Sequence, residues 1–104
     1  MLFHVDTRVS TERGAAIQKA GGPGPVFAHI GERFRPQSFF FSITERRTFL
    51  IVELESASKV AELMLILSSL CGTAPEFTPI AAVEDAASVI GEAMRNAAKA
   101  PRVG

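Results

Sequence analysis

Residues 37–55, QSFFFSITERRTFLIVELE, contain two apolar runs of strand length on either side of a charged turn, Glu45-Arg46-Arg47. The pattern reads as a β-hairpin whose register is set by burial. A loop of even length centred on Glu45 and Arg46 puts Phe39, Phe41 and Ile43 on the same face as Leu50, Val52 and Leu54. The opposite face then carries Ser38, Phe40, Ser42, Phe49, Ile51 and Glu53. A three-residue loop would flip one strand and set serine and glutamate among the leucines. Burying the apolar set is worth about 1.5 to 3 kcal/mol per side chain, more than any preference of a turn that lacks an Asn-Gly or Gly-Gly pair.

Working outward, residues 2–9 alternate, with Phe3, Val5 and Val9 on one side and Leu2, His4, Asp6 and Arg8 on the other, which predicts a strand. Ser10 or Thr11 can cap a helix running to Ala20, with a thin apolar set of Ala15, Ala16, Ile17 and Ala20. The run Gly21-Gly22-Pro23-Gly24-Pro25 must break it, because glycine costs about 1 and proline about 3 kcal/mol in a helix interior. A second helix can start with Pro25 at its first position and place Phe27, Ile30 and Phe34 on one stripe before Pro36 stops it. Beyond the hairpin, Ser56 is the expected N-cap of a helix striped by Val60, Leu63, Met64, Leu67 and Leu70 as far as Gly72. Residues 75–80 are short and extended, and their two prolines confine them to a sheet edge. Val83, Ala86, Ala87, Ile90, Met94 and Ala97 mark a C-terminal helix, with Glu84 and Asp85 at its start and Arg95 and Lys99 late. Pro101 to Gly104 are expected to fray.

The order strand, helix, strand, strand, helix, strand, helix predicts an α+β fold of the ferredoxin-like βαββαβ type. Its four-stranded antiparallel sheet has the first and third strands central, helices on one face, and an extra C-terminal helix. The 104 residues, 47% hydrophobic and 21% charged, suit one core, so residues 1–104 read as a single domain. Eleven basic and eleven acidic residues cancel, which argues against nucleic acid and anionic membranes as partners. With no basic segment leading into an apolar stretch and no run near the ~20 residues of a membrane span, a cytoplasmic location is expected. Cys71 stands alone and reads as a small hydrophobe.

Three stretches carry a family resemblance: the opening Met1-Leu2-Phe3-His4-Val5, the strand Phe49-Leu50-Ile51-Val52-Glu53, and Phe77-Thr78-Pro79-Ile80 before Val83-Glu84. Together they resemble a family of short bacterial proteins of unknown function within the dimeric α/β-barrel superfamily. The opening is also similar to that of muconolactone isomerase, over little more than the first strand. The chain departs from the uncharacterised family in having no Trp and in its break at residues 21–25. The resemblance implies a barrel-forming dimer far more than any chemistry.

His4 and Asp6 share one face of a central strand, and with Glu53 on its neighbour they could form a base with an orienting carboxylate. The plainer alternative is a polar cluster that satisfies itself across a dimer interface. Arg8, Phe40, Ser42, Phe49 and Ile51 lie on the same open face and are the candidate ligand-binding residues. No metal site is expected, since no second His stands at ligand spacing and His29 falls on the split helix. No cofactor is expected either, because the glycines of residues 21–24 follow a helix and lack the Lys-Ser/Thr pair of a phosphate loop. Arg46 and Arg47 read as solubilising turn residues. Ser38 and Ser42 have no base at a spacing that would make a nucleophile.

Two functions from different classes follow. One is a dimeric module that binds a small apolar or anionic ligand or simply associates. The other is a cofactor-independent enzyme of the isomerase or monooxygenase type, with its substrate between the open sheet face and the helices and His4 as proton shuttle. The uncovered Phe40, Phe49 and Ile51 favour a homodimer joined through the open sheet face.

Overall fold

The computed structural model describes residues 1–102. Four strands, β1 (Leu2–Arg8), β2 (Ser38–Ser42), β3 (Arg47–Glu53) and β4 (Glu76–Pro79), form an antiparallel sheet in the order β2-β3-β1-β4. Four helices join them: α1 (Thr11–Lys19), α2 (Gly24–Phe34), α3 (Ala57–Cys71) and α4 (Val83–Ala97). This is an α+β arrangement compatible with the ferredoxin-like fold. β1 and β3 are central, and the proline-bearing β4 lies at an edge.

Phe39 pairs directly with Leu50, and Phe40 with Phe49, so the expected side-chain parity holds. The centre of the hairpin differs. Ser42 pairs with Arg47, which centres the loop on Thr44 and Glu45 rather than on Glu45 and Arg46. A shift of two residues in pairing preserves the facing of every residue that stays in a strand, so the parity argument admits both centres, and the shift costs only the burial of Ile43. Two expectations change as a result. Ile43 leaves the strand and is 92% exposed, and Phe41 pairs with the buried Thr48 where the expected centre would pair it with Leu50. Arg47 is not a turn residue; it opens β3 and points to the open face, while Arg46 takes the left-handed conformation at φ 48°.

The core sits between the inner sheet face and the helices. Val5, Leu50, Val52 and Leu54 meet Ile30 and Phe34 of α2 and Leu63 and Leu67 of α3. Ser56 caps α3 by accepting from the Lys59 amide at 3.2 Å, and Gly72 ends it at φ 74° with its amide on Ser68 O at 2.8 Å. Ser10, not Thr11, caps α1, accepting from the Arg13 amide at 3.1 Å. No α1 residue is buried, as its thin apolar set led one to expect. Arg13 ties α1 down instead, donating from Nε and Nη2 to Leu70 O and Ser69 O, each at 2.9 Å, at the carbonyl end of α3. The break falls at Gly21 and Gly22, and α2 starts one residue before Pro25.

α4 packs on nothing comparable. Val83 is 89% and Met94 68% exposed, and Val89 and Ile90 are exposed beside them. The radius of gyration of 17.1 Å exceeds the ~13 Å usual for 100 residues, and the long axis reaches 54 Å, as a projecting helix requires. Pro101 and Arg102 follow α4 outside any helix or strand; Val103 and Gly104 lie outside the described residues. Among the described residues no helix is long and apolar enough to cross a membrane.

Candidate functional site

Strand alternation delivers every residue singled out above to the open face. His4 faces Ile51 on β3 and Thr78 on β4, Asp6 faces Phe49, Leu2 faces Glu53, and Ser38 faces Ile51. An aromatic row crosses three strands. Phe40 sits 6.2 Å from Phe49, and the His4 imidazole stacks on the other side of Phe49 with centroids 6.3 Å apart. Phe40 is exposed, while Leu2, His4, Phe49 and Ile51 are half-buried.

The charged groups pair in ways the sequence did not disclose. Arg47 grips Asp6 with both Nε, at 2.8 Å, and Nη2, and its guanidinium lies 5.6 Å from the Phe49 ring centroid. These bonds hold the Asp6 carboxyl below its ordinary value, against the smaller opposing effect of burial, and raise that of Arg47. Glu45 extends the cluster towards Arg8 at 3.7 Å and Arg47 at 3.9 Å. Ser42 Oγ lies 3.4 Å from Thr44 Oγ1. Glu53, at the far end of β3, accepts from the N-terminal amine of Met1. No hydrogen bond joins His4 to Asp6 or Glu53 among the described residues, so the three candidates share a face without converging.

This arrangement can bury apolar surface and present a satisfied ion pair, and among the described residues no carboxylate is hydrogen-bonded to His4. The profile of a family described as Domain of unknown function (DUF3303) matches residues 1–94. The chain belongs to the DUF3303 family. No curated protein matches it. The matched residues include all four strands and most of α4, so the projecting helix is part of the DUF3303 domain.

The opposite side of this DUF3303 domain holds a feature that strand alternation alone did not indicate. A half-open cavity of about 350 Å³ lies between α1, the start of α2 and the turn end of the sheet. Its apolar lining includes Val9, Ile17, Phe27, Phe41 and Leu70, and its polar lining Thr11, Gln18, Arg46 and the buried Thr48. The composition of α1 explains the space. Gly14, Ala15 and Ala16 are too small to reach a sheet surface that carries Thr7 and Thr48 there instead of large aliphatics. Cys71 lines the cavity floor, and burial pushes its thiol up, keeping it protonated and unreactive at neutral pH. The signal available in the sequence was the thinness of the α1 stripe, which predicts missing volume as well as weak burial.

Proposed function

We propose that the protein works as a homodimeric module that binds a small molecule without transforming it. Two copies join through their open sheet faces to form a dimeric α/β barrel. The observation that carries this reading is the aromatic row Phe40, Phe49 and His4, flanked by Leu2 and Ile51, on a sheet face that no helix covers. Monomeric proteins seldom leave contiguous apolar patches beyond a few hundred Å² open to water. The charges on the face suit such an interface, because the Asp6–Arg47 pair neutralises itself and can be buried without a lone ion. A two-fold axis through the face makes it self-complementary. The exposed stripe of α4 adds a second apolar surface with no partner among the described residues.

The enzymatic reading, with His4 as proton shuttle, has less behind it. Asp6 is committed to Arg47, and among the described residues neither it nor Glu53 bonds to the imidazole, which stacks on Phe49.

Sedimentation equilibrium tests the proposal. The unmodified chain is expected to be a dimer at micromolar concentration, and Phe49→Asp, which places a charge in each copy of the face, is expected to yield monomer or aggregate. Glu32→Lys, on an exposed site of α2, should leave the dimer intact. A monomeric unmodified chain would overturn the proposal.

A further inference from the structure

The cavity under the hairpin turn lies on the opposite side of the sheet from the proposed interface and is open to solvent in part. We infer that it is a binding site for a small apolar monocarboxylate, with Arg46 holding the carboxylate and α1, α2 and the inner sheet face enclosing the apolar body. This deepens the reading of the protein as a binding module and rests on that reading, but not on the dimer.

Three observations carry the inference. The first is size and lining: about 350 Å³ falls within the range of small-molecule pockets, and the lining is mostly aliphatic and aromatic with a few polar groups. Scaled from the ~150 Å³ that accommodates benzene, it takes a ligand of roughly a dozen heavy atoms. The second is charge. No Asp or Glu lines the cavity, so its formal charge is that of Arg46. Arg8 and Arg47, the neighbouring arginines, pair with Glu45 and Asp6, whereas Arg46 has no carboxylate partner among the described residues.

The third is the way Arg46 is held. Its left-handed backbone is fixed by its carbonyl, which accepts from the Val9 amide at 3.1 Å. Its side-chain stem lies across α1 at Gly14, where a Cβ would come within 3.2 Å of Arg46 Cδ. The missing side chain at position 14 thus gives the guanidinium a bed at the cavity margin. A single guanidinium over apolar walls matches a monoanion with an apolar body. A dianionic phosphate would leave one charge without a partner. Thr11, Gln18 and Thr48 add hydroxyl and amide groups to the lining.

The test uses 2-naphthoate and its uncharged analogue 2-naphthalenemethanol as probes, followed by ¹⁵N NMR on the full chain at low ionic strength. Both should shift amides of residues 11–18 and 46–48. The carboxylate should bind about five- to tenfold tighter, an advantage that added salt diminishes. Arg46→Gln should bring the carboxylate down to the affinity of the alcohol without changing the latter. Ala15→Leu, which fills the cavity, should weaken both; should that variant not fold, the charge discrimination and its loss in Arg46→Gln still decide the matter. Equal affinities for the two probes, shifts confined to His4, Phe49 and Ile51, or no saturable shift would each overturn the site. The mass of the same samples separates the two proposals: a monomer that binds 2-naphthoate at α1 sinks the dimer and keeps the site, and a dimer that binds nothing does the reverse.

Discussion

At the scale of single residues, Asp6 and Arg47 form the two-point ion pair of the open face. Because Arg47 lowers the Asp6 carboxyl, the folded state binds that proton less readily than the unfolded chain. The pair therefore contributes fully above the unfolded carboxylate value of about 3.9 and fades as the pH falls through the lower folded value. Asp6→Asn should lower stability at pH 7, and the gap from the unmodified protein should close below about pH 4. Urea denaturation from pH 7 down to pH 2.5 measures it, and a gap independent of pH would show that the pair contributes nothing through its charge. The face of Asp6 was legible from the alternation of residues 2–9. Its partner was not, because Arg47 was read as a turn residue and joins β3 opposite Ser42 with the hairpin centre moved by one residue, a shift that strand parity admits.

At the scale of elements, α3 was readable almost to the residue, since Ser56, the three-and-four-residue stripe and Gly72 agree with one another. Gly72 sits at φ 74°, a conformation that costs an L side chain about 1 kcal/mol. Gly72→Ala should accordingly reduce unfolding free energy by about 1 kcal/mol with an unchanged denaturant slope. The open environment there, with only the Arg13 stem at 3.9 Å, removes a clash as an alternative cause. α1 was legible as a helix, yet what its small residues do was not. Periodicity reports which positions face the sheet and says nothing about whether they fill the distance to it, so the cavity became visible only with the packing. α4 shows the same limit from the other side: its stripe was plain in the sequence, and its exposure could be known only from where the chain goes after β4.

At the scale of the whole molecule, two apolar surfaces stand open on one chain, the aromatic row of the sheet and the stripe of α4. The intramolecular way to cover the sheet would lay α4 across it, but the exposed Ile90 and Met94 leave that face free. On the proposed reading a second copy is the cover, which predicts a particle of twice the 11.1 kDa chain mass. Removal of α4 after Ile80 should leave a dimer, because the sheet face supplies the contact, although a weaker one wherever α4 reaches the partner. Dilution followed by light scattering measures that difference. The face itself is tested most directly by isotope-filtered NOE spectra of a dimer mixed from labelled and unlabelled chains. Intermolecular contacts among Phe40, Phe49 and Ile51 are the expected result; contacts confined to α4, or none between chains, would contradict the account.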